Sequence, residues 1–416
     1  MRVLLLVHRV PYPPDKGDKI VSWRVLEALT AAHEVDLVTL VDDPADFGHL
    51  DVLLRRCASA QLLPLRPWAA RARAAAALLG KTPLSVAWFA ERAARAATRF
   101  VLERRPPEVV VLFSSQTAAW LPAGYAGPVV ADLVDVDSEK WAQYGAEHRG
   151  PKAALYRLEA ERLRAFERRI GVRPRTTTVL TTEREARVFR ERVADVPVEV
   201  VHIGVVAPPA APSPSERESG LMTFVGAMDY PANVEAVETG ARRVLPRIRE
   251  RVPHARFRIV GRKPADAVRA LASLPGVEVT GAVPDPAPHV RAASLSLVPL
   301  RVARGIQNKV LEAMAQGTPV VATPPVAESL GLDPDGGGVI AVGRDEAETA
   351  ARAVELLLDP EAAARLGAAG REFVTARFRW DAFSARILEL VARAAGRDPS
   401  EPTRRRLPET VGEPAL

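Results

Sequence analysis

Short apolar runs that alternate with helical stretches, twice over, restrict this chain more than any other feature. Val3–Val7 is continuously apolar, the mark of a strand buried on both faces of a parallel sheet. A loop rich in Pro, Gly and charge follows, then a helical period from Ile20, then the run Val35–Leu40. Gln61–Leu65, Val109–Phe113, Pro128–Leu133 and Thr178–Thr181 continue the series. Between Ala207 and Gly220 the pattern stops, and Pro208, Pro209, Pro212, Ser213, Pro214 and Ser215 crowd together as a linker. It restarts with Leu221–Gly226, Phe257–Gly261, Val277–Thr280, Leu295–Pro299, Pro319–Ala322 and Val339–Val342. Helical periodicity then runs from about Asp345 to Ala395. The alternation predicts an α/β chain of two doubly wound parallel-sheet domains with C-terminal helices. The expected divisions are an N-terminal domain 1–206, a linker 207–220, a C-terminal domain 221–380, a helix 381–396 and a disordered tail 397–416. Two such domains on a hinge leave a cleft facing the carboxyl ends of both sheets, where ligands bind in folds of this kind.

The 416 residues suffice for a full core in each domain. A single cysteine, Cys57, excludes an intrachain disulfide framework and fits a reducing compartment. Its surroundings make it a buried apolar residue rather than a nucleophile. The longest uncharged run, Val109–Ala131, carries Ser114-Ser115-Gln116-Thr117, Pro122 and Pro128, so it reads as strand, loop and strand rather than a membrane span. The first apolar run meets His8-Arg9 too soon for a signal peptide, and a cytoplasmic location is expected.

The net charge of +6 is regional. Residues 66–105 hold nine basic and two acidic side chains, and 149–175 hold nine and three; the remainder is mildly acidic. In the first stretch Phe89, Ala93, Ala96 and Phe100 fall on one helical stripe and Arg92, Arg95 and Arg99 on another, among Trp68, Trp88, Arg66, Arg71, Arg73 and Lys81. Two readings stay open: a basic amphipathic surface that lies on the anionic inner face of the cytoplasmic membrane, or an arginine-rich solvated face. No nucleic-acid motif accompanies the charge, and a nucleic-acid partner is not expected.

The chemistry concentrates in Val298–Ala322. Strand, glycine turn, short helix, Gly317-Thr318-Pro319 and strand follow one another there. Gly305 lets a ligand approach the backbone at the helix start, where unpaired N–H groups suit a pyrophosphate. Lys309 and Glu312, three apart, share a helix face. An ammonium near phosphate oxygens and a carboxylate accepting from two ribose hydroxyls would hold a nucleoside diphosphate. The plain alternative is an exposed salt bridge contributing about 0.2–0.5 kcal/mol. Only seven lysines occur in the chain, which gives Lys309 more weight.

The run Lys309-Val310-Leu311-Glu312-Ala313-Met314-Ala315-Gln316-Gly317-Thr318-Pro319-Val320-Val321-Ala322-Thr323 resembles the donor-site signature of retaining glycosyltransferases of family 4, which have the GT-B fold. Phe224-Val225-Gly226 and Arg258-Ile259-Val260-Gly261-Arg262 are similar to the opening strands of that family's donor domain. Val7–Asp18 is similar to its first loop. With Asp132–Trp141, the pattern looks closest to a bacterial exopolysaccharide subgroup associated with exosortase (PEP-CTERM) gene clusters. The resemblance implies two Rossmann-like domains and transfer of a sugar from a nucleotide-sugar donor to a glycan or polyprenol-linked acceptor, with retention and without metal or cofactor. Glu312 matches the family's ribose-binding glutamate. Lys309 lies within the motif, and the N–H groups around Gly305, Ile306 and Gln307 would cover the phosphates. Gly226, Arg262 and Arg301 are further donor-side candidates, the arginines as substitutes for basic residues the family has after its first donor strand.

The chain also departs from the family. Arg304 stands where a first glutamate is usual, and Val134-Asp135 replaces a His-Asp pair, leaving Asp135 as the catalytic candidate. These departures keep open a second reading, an inactive nucleotide-sugar-binding scaffold. Asp132, Asp135 and Asp137 cluster at a strand end, where the odd positions, Asp135 and Asp137, would share a face. Such a short run offers fewer oxygens than a hard cation recruits, so no metal is expected. His8, ending the first strand, and Gly17, opening a helix, are candidates for acceptor-side or loop contacts.

Overall fold

The computed structural model describes residues 1–303 and 305–399; Arg304 and most of the expected tail lie outside them. Among these residues the chain forms two compact units, one of residues 1–201 together with the chain from Asp381 onward, the other His202–Trp380.

The first unit is built on seven parallel strands: β1 (Arg2–Val7), β2 (Glu34–Val41), β3 (Ser59–Pro64), β4 (Val109–Phe113), β5 (Val129–Val134), β6 (Thr176–Leu180) and β7 (Val198–Val200). Their order is β3-β2-β1-β4-β5-β6-β7. The apolar run explains the centre: Val3, Leu4, Leu5 and Leu6 are wholly buried, and β1 pairs with β2 on one side and β4 on the other. Strand order reverses at β1/β4, and in doubly wound sheets the crevice beyond the carboxyl ends at that point receives ligands. The helix Trp380–Ala394 packs here as well, with Arg386 and Arg393 clamping Glu199 of β7 at 2.5 and 2.6 Å.

The second unit repeats the plan with six parallel strands: β8 (Glu218–Val225), β9 (Arg256–Val260), β10 (Val277–Gly281), β11 (Ala293–Val298), β12 (Val320–Ala322) and β13 (Ala341–Val342), ordered β10-β9-β8-β11-β12-β13. Its reversal lies between β8 and β11. The expected C-terminal helical stretch resolves into Glu346–Leu358, Pro360–Arg377 and Trp380–Ala394.

One expected pattern is overturned. The stripe Phe89–Ala93–Ala96–Phe100 does not exist, because the helix breaks at Ala90-Glu91 into Leu84–Phe89 and Arg92–Arg104. The second helix buries Ala94, Ala97, Thr98 and Val101 instead, leaving Ala93, Ala96 and Phe100 exposed beside Arg92, Arg95 and Arg99. Glu159 fixes the first helix from outside, its carboxylate accepting from the Leu84 and Ser85 N–H groups at 2.5 and 2.9 Å.

Candidate functional site

In the second unit the loop after β11 enters the helix Asn308–Ala315. Gly305 turns in the left-handed region (φ 57°), where a side chain would be strained, and Gln307 is extended just before the helix. Among the described residues no side chain caps this helix start, the kind of end that attracts an anion.

Lys309 and Glu312 follow on one face, both half-buried. No ion pair joins them. Lys309 Nζ donates to Gln307 Oε1 at 3.2 Å and lies 5.4 Å from the centre of the Phe224 ring. The Glu312 carboxylate has no hydrogen-bond partner among the described residues. Burial pushes Glu312 up to about 7, against the pull of Lys309 and with a further push from Asp285. Burial brings Lys309 down to about 8, which Glu312 only partly offsets. An exposed i,i+3 salt bridge would show neither feature. A half-buried carboxylate with no partner is uncommon unless a ligand supplies donors.

Gly226, at the end of β8, and Gly261, at the end of β9, explain how closely these loops approach. A Cβ on Gly261 would fall 1.7 Å from the Gly226 carbonyl oxygen, and one on Gly226 would strike Asn233 Nδ2 at 2.7 Å. Ile306 and Arg262 are half-buried nearby in sequence, the Arg262 carbonyl accepting from Met228 N–H at 3.0 Å. Arg301 is exposed and pairs with Glu235 at 3.1 Å.

The first unit gathers carboxylates at the carboxyl end of β5. Val134 adopts φ 67°, which ends the strand and breaks the alternation. Asp135 and Asp137 therefore do not share a strand face: Asp132 is buried and accepts from the Val134 N–H at 3.1 Å, Asp135 sits in the turn, and Asp137 opens the helix Asp137–Glu147. That helix lacks a cap of its own. Glu185 accepts from Val136 N–H at 2.8 Å, and Glu167 accepts from Ser138 N–H at 3.1 Å and Ser138 Oγ at 2.5 Å. Asp135 Oδ1 accepts from Thr181 Oγ1 at 3.1 Å. Burial raises Asp135 to about 7, helped by Glu185 and Asp137 and opposed by Lys140, while burial alone takes Asp132 to about 7. Glu167 rises to about 8 for the same first reason. Glu167 and Glu185 escaped sequence reasoning because they lie 29 and 49 residues from the groups they cap.

His8 follows β1. Its ring stacks on Phe113 (6.1 Å, 6°) and meets the Phe89 ring edge-on at 5.3 Å. His8 Nε2 is 3.5 Å from Asp18 Oδ2, which also accepts from Arg9 at 2.8 Å, and Arg9 reaches Asp42 at 2.9 Å. Burial pushes Asp18 up, but His8 and Arg9 together hold it far below the usual carboxylate range. Gly17 opens the helix Gly17–Ala32, whose first turn thus already carries an engaged carboxylate. His8 Nδ1 is buried without a partner.

The architecture matches known structures over nearly the whole chain. Sucrose-phosphate synthase from Thermosynechococcus elongatus superposes with a TM-score of 0.68 at 18% identity, covering 94% of this chain and 98% of that one. HepE from Anabaena, solved in complex with UDP-glucose, gives 0.61 at 14% identity, covering 94% and 100%. The chain has the GT-B fold, two Rossmann-like parallel-sheet units. Residues 220–359, most of the second unit, match the family described as glycosyl transferases group 1. Over 160 residues the chain is 35% identical to a GDP-mannose-dependent alpha-(1-6)-phosphatidylinositol monomannoside mannosyltransferase of Mycobacterium tuberculosis, which is 35% of this chain. The aligned part spans 42% of the length of that relative.

Proposed function

We propose that this chain is a metal-independent, retaining glycosyltransferase that moves a sugar from a nucleoside-diphosphate donor to a lipid-linked glycan in exopolysaccharide synthesis. The observation that carries the reading is the unpartnered Glu312 carboxylate beside Lys309, next to a glycine turn and an uncapped helix start. Glu312 accepts from the ribose diol, and Lys309 with the N–H groups around Gly305–Gln307 neutralises the diphosphate. As the bond from the anomeric carbon to the phosphate oxygen breaks, negative charge grows on the leaving diphosphate, where these groups act most strongly. The acceptor oxygen bonds to the same face of the anomeric carbon, and its proton passes to a phosphate oxygen. In the first unit Asp135, raised to about 7, is the acceptor-side candidate, a carboxyl able to hydrogen-bond a hydroxyl. The names of a UDP-glucose-binding neighbour and a phosphatidylinositol-mannoside mannosyltransferase relative support a nucleotide-sugar donor and a lipid acceptor. Incubation with a panel of nucleotide sugars and acceptors tests the reading. Nucleoside diphosphate is expected to be released with one donor, whereas binding without release by any donor would favour the scaffold.

The same reading places the chain at an anionic membrane surface. Trp68, Leu79 and Phe100 are exposed by 69%, 96% and 56% in a stretch where Arg66, Arg71, Arg92 and Arg99 are exposed without ion pairs among the described residues. No helix among the described residues is long and apolar enough to cross a membrane. Each surface arginine contributes about 1 kcal/mol near anionic lipid. Changing Arg92, Arg95 and Arg99 to Ser should therefore abolish flotation with phosphatidylglycerol liposomes; equal flotation of both proteins would count against membrane contact.

A further inference from the structure

The second unit also holds a cavity of about 490 Å³ at the amino ends of its strands, the opposite end of the sheet from the Gly305 turn. Arg217 just before β8, Ser294 at the start of β11 and Pro319 just before β12 place it there. Its walls are Leu356 and Leu357 of the helix Glu346–Leu358, Ala364 of the helix Pro360–Arg377, and Ala211 of the proline-rich segment. The size is that of a small-ligand pocket, and the lining is mostly apolar.

Arg217 and Arg371 line it, and Arg291 lies beside Arg217. Arg217 donates to the carbonyls of Ala293 (2.7 Å) and Gly317 (2.8 Å) and to Thr318 Oγ1 (3.0 Å), all neutral oxygens. Arg371 donates to the carbonyls of Ala315 and Pro208. Arg291 donates to the Ala210 carbonyl at 3.0 Å. None of the three forms an ion pair with a described residue. The nearby Glu216 carboxylate is taken by Ser213 N–H and Oγ at 2.6 and 2.8 Å, and Glu372 is an exposed acid at the mouth. Burial and the neighbouring Arg291 bring Arg217 down to about 10, against the pull of Glu216. Each guanidinium carries five N–H donors, more than these contacts use.

We propose that this cavity binds a single-chain amphipathic anion, with its alkyl chain against Leu356, Leu357 and Ala364 and its phosphate or carboxylate head on Arg217 and Arg371. Two of the three arginines already hold the carbonyls of Pro208 and Ala210, so the ligand also ties down the segment around Ala211. Nothing in this site overlaps the Lys309–Glu312 face, and it stands whether or not sugar transfer is observed.

Calorimetric titration of the full chain with octyl phosphate and with octanoate tests the assignment, with inorganic phosphate and octyl glucoside supplying head and chain alone. One equivalent of an alkyl anion is expected to bind at least tenfold more tightly than either control. Binding is expected to slow amide exchange in residues 207–217. Ala364→Trp, an exposed position that fills the cavity from its mouth, and Arg371→Gln should each weaken binding at least tenfold while keeping a wild-type circular dichroism spectrum. Should Arg371→Gln not fold, Ala364→Trp alone decides. No saturable binding, equal binding of either control, or wild-type affinity in Ala364→Trp would overturn the proposal.

Discussion

Replacing Glu312 with alanine is expected to weaken nucleoside-diphosphate binding at least about 30-fold, because charge-assisted hydrogen bonds to two ribose hydroxyls contribute about 2–3 kcal/mol together. The carboxylate makes no hydrogen bond of its own, so its removal leaves no orphaned partner and the thermal transition should barely move. Affinity should also depend on pH in a stated direction. The carboxylate form accepts from the diol, and burial holds Glu312 near 7, so binding should weaken as pH falls below about 7. Calorimetry of wild type and Glu312→Ala at pH 6 and pH 8 reads both effects. Unchanged affinity in the variant would remove Glu312 from the donor site.

The second large effect concerns the carboxylates beneath the helix Asp137–Glu147. Asp132, Asp135 and Glu167 have folded-state values of about 7, 7 and 8 against ordinary values near 4. An acid raised on folding keeps its proton longer in the native state than in the unfolded chain. Its contribution is complete below about pH 4 and is lost as pH rises through 7 to 8. Asp18 and Glu139, lowered on folding, act the other way at acid pH, and His33, lowered to about 4, adds stability between pH 4 and 6.5. The three raised acids outnumber the one histidine, so stability of the first unit should peak near pH 4 and fall as pH rises toward 8, with a Tm drop of roughly 5–10 °C. Glu167→Gln, which keeps an acceptor for Ser138 and cannot ionise, should flatten that slope. A Tm equal or higher at pH 8.5, with no change in slope for the variant, would contradict the assignment.

How far the sequence reaches depends on the range of the forces involved. Continuous apolar runs located β1, β4 and β12 because a strand buried on both faces writes its burial into consecutive residues. Gly305, Lys309 and Glu312 were legible for the same reason: turn, helix start and helix face are local. β7 was not, since Val198-Glu199-Val200 carries too short a signal and depends on pairing with β6 and on the clamp from Arg386 and Arg393. The left-handed Val134 overrode the alternation that would have aligned Asp135 with Asp137. Glu167 and Glu185 become caps only after folding brings distant helices to one strand end. The start of the helix Leu84–Phe89 likewise answers to Glu159, 75 residues from Leu84.

The central claim is sugar transfer with retention through the Glu312 site. Proton NMR of the chain with an α-linked nucleotide sugar and a polyprenol-linked glycan tests it most directly. The donor's anomeric signal is expected to decay while a new α-linked anomeric signal grows, in wild type and not in Glu312→Ala. A β-linked product, or no new anomeric signal with any donor that binds, would contradict it.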